Sequence, residues 1–409
     1  MDITITPKKL KGVVTAPPSK SVAHRLLICA ALAKGESVIK NISDSKDMQA
    51  TIGCLRALGA EIELKDGTAF IKGIEKPAET ATLDCCESGS TLRFLIPVAA
   101  ALGVKAEFVG EGRLPQRPIT PYLEALPPHG AVFDYQNTMP FTVSGRLQAG
   151  KYEIRGDVSS QFITGLLLAL PLCEGDSEIK ITTALESKPY IDITIGAMRE
   201  FGVDIVQRGD TFIIKGGQNY SPKSLTVEGD HSQAAFFEVA NALGADIEIL
   251  GLNVNSYQGD KKIIEIIREI VYNSNDRLKA FEADVADIPD LVPILAVLAC
   301  FCEGRSRIYN AARLRIKECD RLSAMATSLN ACGGKVEEKE DELIIEGVSS
   351  LKGGEVPDFN DHRIPMAMSI AAMRSEAPIT IHGAQAVAKS YPDYWEVYSA
   401  LSGECKMHN

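Results

Sequence analysis

Six times along the chain a short run of small or polar residues is followed by a stretch with almost no polar face. The runs are Ser19-Lys20-Ser21, Glu87-Ser88-Gly89-Ser90-Thr91, Asp157-Val158-Ser159-Ser160-Gln161, Gly229-Asp230-His231-Ser232-Gln233, Asp287-Ile288-Pro289-Asp290 and Asn360-Asp361-His362-Arg363. Behind them lie Leu26 to Ala33, Leu92 to Leu102, Phe162 to Leu172, Ala234 to Leu243, Leu291 to Cys302 and Ile364 to Met373. Apolar on nearly every side, these stretches predict buried helices rather than surface ones. Several end in glycine followed by alternating positions, as in Lys34-Gly35-Glu36-Ser37-Val38-Ile39, which predicts a helix stop and then a strand.

A second kind of helix is amphipathic and steps into a strand through glycine. It is seen around Leu58-Gly59-Ala60, Phe201-Gly202-Val203 and Cys332-Gly333-Gly334. Each unit therefore combines one inner helix, one half-exposed helix and several short strands. Successive openings are about 60 to 72 residues apart, so the chain reads as six repeats. Three repeats per domain give domains of ordinary size, and the loop-like Tyr220-Ser221-Pro222-Lys223-Ser224 divides three from three.

Composition narrows the classes. A net charge of −11 over 409 residues argues against a nucleic-acid partner, since phosphate backbones are bound through an excess of Lys and Arg. The first residues lack an apolar signal core, and the longest apolar run, Leu291 to Cys302, is too short to span a bilayer, so neither export nor membrane insertion is expected. Ten cysteines without a Cys-x-x-Cys pair read as buried small hydrophobes of a cytoplasmic protein, and no metal site is expected.

Against this acidic background the local cations stand out. Lys20 and Arg25 crowd the first turn of a helix, where the macrodipole favours negative charge, so the stretch asks for an anion. It is not a P-loop, because Val14 and Ser19 stand where that motif needs glycine. Arg93, Arg113 and Arg117 follow the second opening, and Ser159-Ser160-Gln161 offers neutral donors at a helix start. In Arg313-Leu314-Arg315-Ile316-Lys317-Glu318-Cys319-Asp320-Arg321, Glu318 is set among four cations that would hold it ionised.

Taken in order, Pro18-Ser19-Lys20-Ser21 with Arg25, Gly89 with Arg93, Arg117-Pro118, Ser159-Ser160-Gln161, Ser187-Lys188-Pro189-Tyr190, Ile288-Pro289-Asp290, Arg315 with Lys317-Glu318 and Asp320-Arg321, Asn360-Asp361-His362-Arg363, and Lys389 with Pro392-Asp393 resemble the EPSP synthase family of enolpyruvyl transferases. The resemblance runs the length of the chain. It implies an α/β (α+β) fold, a two-domain inside-out α/β barrel, each domain made of three βαβαββ repeats with buried parallel helices. Residues 15–228 would form one domain and 1–14 with 229–409 the other, with hinges near 14–20 and 226–230.

The family's reaction joins phosphoenolpyruvate to the 5-hydroxyl of shikimate 3-phosphate without a cofactor, in a monomer that closes on its substrates. Carried over by position, Lys20, Asp290 and Glu318 are the catalytic residues, with Asp290 taking the hydroxyl proton and Lys20 or Glu318 serving C3. Phosphoenolpyruvate falls to Lys20, Gly89, Arg117, Gln161, Arg321, Arg363 and Lys389. Shikimate 3-phosphate falls to Lys20, Ser21, Arg25, Ser159, Ser160, Gln161, Ser187, Tyr190, Asp290, Arg313 and Lys317.

Some family positions differ. Glu87-Ser88-Gly89-Ser90 stands where many members read Asn-Ala-Gly-Thr, and Arg313 where some have asparagine. Gly89 is kept, and inhibition by glyphosate competitive with phosphoenolpyruvate is expected. The related UDP-N-acetylglucosamine enolpyruvyl transferases carry a cysteine where Gly112 stands and Lys-Asn in place of Lys20-Ser21, which leaves that family as the alternative.

Overall fold

In a parallel strand-helix-strand unit the helix crosses back over the sheet, so its first turn emerges beside the C-terminal end of the leading strand. The computed structural model describes residues 1–272 and 277–408, and within them this unit occurs four times in chain order and twice with the leading strand supplied from elsewhere in the chain. The six inner helices are Lys20–Leu32, Gly89–Leu102, Ser160–Ala169, His231–Ala242, Val292–Cys300 and Arg363–Ala371, and most of their residues are buried. Burying one Leu, Ile or Phe side chain contributes about 1.5–3 kcal/mol, so helices with little polar face are stable only inside a core.

The chain divides into two compact units, Pro18–Glu228 and Met1–Pro17 with Gly229–Asn409. In the first, three four-stranded sheets share one plan: a parallel pair, then two antiparallel steps. In the second, two four-stranded sheets repeat it, and a parallel pair, Lys11–Thr15 with Asp246–Leu250, makes a third.

Two leading strands are exchanged. Lys11–Thr15 precedes the helix Lys20–Leu32 in the chain yet pairs with Asp246–Leu250, which follows the helix His231–Ala242. Ser224–Thr226 precedes His231–Ala242 yet pairs with Glu36–Lys40. This corrects one expected boundary. Thr15 pairs with Leu250, and the Ala16 N–H donates to the Leu250 carbonyl at 2.9 Å, so residues 15–17 belong with the N-terminal strands and not with 18–228.

The outer helices Lys46–Leu58, Lys188–Glu200 and Arg321–Ala331 bury one face, as their pattern predicts. Thr120–Ala125, Lys262–Tyr272 and Tyr394–Ala400 add three that the glycine-step pattern does not reveal.

One inner helix carries a proline beyond its first turn. Pro97 has no N–H, so within Gly89–Leu102 it leaves the Arg93 carbonyl without its helical donor. The buried Tyr122 hydroxyl donates to that carbonyl at 2.7 Å and lies 2.9 Å from the Phe162 carbonyl. Space for it exists because residue 165 is glycine: a Cβ there would fall 2.2 Å from the Tyr122 oxygen.

Candidate functional site

Since the inner helices are parallel to one another in role, each unit presents several helix N-termini, and N-termini expose unsatisfied N–H groups with partial positive charge. In the unit Pro18–Glu228 these turns are furnished mainly with hydroxyls and amides. Ser19 caps Lys20–Leu32 by accepting from the Val22 N–H at 3.5 Å, and Ser159 caps Ser160–Ala169 by accepting from the Gln161 N–H at 3.3 Å. Gln161 ties two of the helices, its Oε1 accepting from Arg93 at 2.8 Å and its Nε2 donating to Ser90 at 2.9 Å. Arg93 stacks over Phe162 at 4.8 Å.

Lys20 is not answered by a ligand alone. Its Nζ donates to Asp47 at 2.8 Å, both side chains being largely buried, so the chain itself supplies an anion for that first turn. Arg25 is 2 % exposed and donates to Thr194 at 2.7 Å, to the Ser21 carbonyl at 2.7 Å and to the Tyr190 carbonyl at 2.9 Å. Burial pushes its guanidinium down to about 10, which leaves it charged at neutral pH. It thus clamps the segments bearing Ser21 and Tyr190. Ser187 is buried in the left-handed backbone region, φ 56°, just before the helix Lys188–Glu200. Gly89 faces the Arg117 guanidinium so closely that a Cβ would fall 2.7 Å from its Cζ.

In the other unit the corresponding turns are charged. Asp290 follows Pro289 at the start of Val292–Cys300, and its two oxygens accept from Arg321 at 2.8 Å and Arg363 at 2.9 Å, with Lys317 3.9 Å away. Burial by itself would raise the Asp290 carboxyl, but Arg363, Lys317 and Arg321 outweigh it and hold it well below the usual carboxylate range. Arg321 also donates to Glu318 at 2.8 Å and to the fully buried Asp361 at 2.7 Å. Arg363 reaches the Ser232 hydroxyl at 2.9 Å, and Asp230 accepts from the Ser232 and Gln233 N–H groups. Lys389 donates to the Asn360 carbonyl at 2.7 Å. Burial pushes Lys317 down to about 8, against the pull of Asp290.

Asp290, Lys317, Glu318, Arg321 and Arg363 therefore form one network, with Lys389 joined to the same Asn360-to-Arg363 turn. Arg313 stands beside it, donating to the Ala286 carbonyl. The expectation of four cations around Glu318 is corrected: Arg315 turns outward to Asp320 at 2.8 Å and Glu338 at 2.7 Å, because the chain breaks into a turn at Ala312–Ile316 before Asp320 caps the next helix. Asp47 and Asp361 were absent from the expected set. Asp361 lies inside the quoted Asn-Asp-His-Arg run, so its place was marked and its role was not. Asp47 carries no local signal, its partner being 27 residues away.

No described helix is long and apolar enough to cross a membrane, and no group of His, Cys, Asp and Glu among the described residues is placed to hold a metal ion.

Comparison with known proteins follows the same lines. The family profile described as EPSP synthase (3-phosphoshikimate 1-carboxyvinyltransferase) matches residues 5–398. The 3-phosphoshikimate 1-carboxyvinyltransferase of Clostridium kluyveri is 46% identical over 98% of this chain and 97% of its own, and that of Clostridium perfringens is 44% identical over 99% of both. Among solved structures, an EPSP synthase from Acinetobacter baumannii is similar with a TM-score of 0.83 and 29% identity, covering 99% of this chain and all of that one.

Proposed function

The chain belongs to the EPSP synthase family, the 3-phosphoshikimate 1-carboxyvinyltransferases, and on that premise we propose which of its residues bind the two anions and which move the protons. The reaction transfers the enolpyruvyl group of phosphoenolpyruvate to the 5-hydroxyl of shikimate 3-phosphate and releases phosphate, a step of aromatic amino acid biosynthesis. In the addition, the hydroxyl oxygen attacks C2, its proton leaves, and C3 gains a proton. In the elimination, C3 loses a proton and the C2–O bond to phosphate breaks. One base and one acid are needed in each direction.

The observation that carries the assignment is the Asp290 carboxylate gripped by Arg321 and Arg363. So gripped it is ionised, the correct form for accepting the hydroxyl proton, but a weak base. Both arginines are also assigned to phosphoenolpyruvate. An anion that draws their charge toward itself lessens the hold on Asp290, so binding of one substrate raises the basicity that the other requires. Glu318, on the same Arg321, and Lys20, beside Asp47, serve C3.

Neutral donors suit the shikimate ester. Ser21, Ser159, Ser160, Gln161, Ser187 and Tyr190 supply hydroxyls and an amide for a phosphate and for ring hydroxyls, while Lys20, Arg25, Arg313 and Lys317 supply charge. Gly89, Arg117, Gln161 and Lys389 complete the phosphoenolpyruvate set. The ten free cysteines, eight of them buried, support a reducing, cytoplasmic setting.

The test is phosphate release by the purified protein from phosphoenolpyruvate, given shikimate 3-phosphate or UDP-N-acetylglucosamine in parallel. Release with the shikimate ester alone, lost in Lys20→Met, is the expected result. Release with the sugar nucleotide instead would transfer the protein to the sister activity.

A further inference from the structure

Lys20 and His24 are four residues apart on the helix Lys20–Leu32, and Asp47 and Thr51 are four apart on the helix Lys46–Leu58. Residues at that spacing share a helix face, and the two faces meet in two rungs: Lys20 Nζ to Asp47 at 2.8 Å, and His24 Nδ1 to Thr51 Oγ1 at 2.8 Å. The second rung continues. Thr51 Oγ1 lies 2.7 Å from Thr91 Oγ1, and the Thr91 hydroxyl donates at 2.8 Å to Ser88, the residue that caps Gly89–Leu102. Thr51 also lies 3.1 Å from the Asp47 carbonyl. His24, Thr51, Ser88 and Thr91 are all at most 1 % exposed.

We propose that Thr51 is a positioning residue for the transfer reaction, the junction through which the Lys20–Asp47 pair and the Gly89 turn are held in one register. Two rungs fix the rotation of one helix against the other where a single pair leaves it free, and the branch through Thr91 and Ser88 carries that register to the turn against which Arg117 packs.

The junction works only with a neutral imidazole. Nδ1 shares its proton with a hydroxyl, Nε2 is buried without a hydrogen-bond partner, and the ring packs edge-on to Phe94 at 6.2 Å. Burial first, then Lys20 and Arg25, hold His24 well below the ordinary histidine value. A chain of fully satisfied buried hydroxyls is rigid, and removing one member leaves its neighbours unpaired.

This inference rests on the transferase reading, so the test has one arm that does not. In the first arm, ring nitrogen NMR of His24 is compared between wild type and Thr51→Val, which removes the hydroxyl at constant shape. Wild type should show a single neutral tautomer, and the variant a mixture or the other tautomer. An unchanged ring signal overturns the junction whether or not the protein turns over shikimate 3-phosphate. In the second arm, Thr51→Val should lower kcat and raise the KM for phosphoenolpyruvate, together by about tenfold in kcat/KM, the equivalent of one buried hydrogen bond. Thr51→Ser should restore both to within about twofold. Thr91→Val, which breaks only the branch, should raise the KM for phosphoenolpyruvate and leave kcat and the KM for shikimate 3-phosphate unchanged. A lowered melting temperature in Thr51→Val with kinetics unchanged would make the junction merely structural and overturn the proposal.

Discussion

The two units repeat one architecture and furnish it with opposite chemistry. At the helix starts of Pro18–Glu228 the contacts are mostly hydroxyl to hydroxyl or amide to hydroxyl, with Asp47 the carboxylate that meets Lys20. At those of the other unit, Asp290, Glu318 and Asp361 share Arg321 and Arg363. Neutral donors can bind an anion without changing anyone's protonation. A network of buried carboxylates and guanidiniums redistributes its charge whenever an anion arrives. On the assignment proposed above, the repeat supplies a scaffold, and the residues of the first turns decide which substrate groups and which protons each end handles.

The sharpest way to break this comparison is Asp290→Asn. If the charged unit carries the proton transfers, kcat should fall by about 10²–10⁴-fold, the usual contribution of a general base, with shikimate 3-phosphate affinity changed far less. A fall confined to KM would mean that Asp290 only holds its arginines in place.

Gly89→Ala comes next and probes the neutral unit. The added methyl would fall 2.7 Å from the Arg117 guanidinium, which must shift. The KM for phosphoenolpyruvate should rise by about tenfold, the loss of roughly 1.4 kcal/mol of binding, while the KM for shikimate 3-phosphate stays constant. Equal changes in both would contradict a dedicated phosphoenolpyruvate position.

The smallest effect sharpens the comparison through pH. Lys317, pushed down to about 8 by burial, loses its charge as pH rises through that value, so the KM for shikimate 3-phosphate should climb by a few-fold above pH 8. In Lys317→Arg the inflection should vanish. The stability sign runs the other way. Between about pH 8 and the ordinary lysine value of 10.5 the unfolded chain binds the extra proton, so this group by itself makes stability rise with pH. A KM flat from pH 7 to 9 in wild type would remove Lys317 from the ester's partners.

How much of this was legible beforehand depends on the range of each interaction. The inner helices were, because stretches such as Val292–Cys300 are apolar all round and can only be buried. The glycine steps likewise placed the outer helices Lys46–Leu58 and Lys188–Glu200. The exchange of Lys11–Thr15 and Ser224–Thr226 had no local signature, since strands of five and three residues carry no mark of partners 235 and 186 residues away. At the site, motif residues such as Asp290 and Arg363 could be named from their runs. That Arg321 would face three carboxylates, and that Arg315, six residues earlier in the same run, would face none of them, followed from a break at Ala312–Ile316 that composition does not announce.

The proline in the helix Gly89–Leu102 has a bearing on how such a chain can change over generations. Pro97, Tyr122 and Gly165 answer one another: the proline withholds a donor, the tyrosine supplies one, and the glycine makes room. Any side chain larger than hydrogen at 165 evicts the tyrosine, and loss of the tyrosine leaves the Arg93 carbonyl without the hydroxyl that the proline made necessary. Their single replacements are non-additive. A change at one of the three positions therefore alters which residues the other two can accept, and the order in which such changes arise matters.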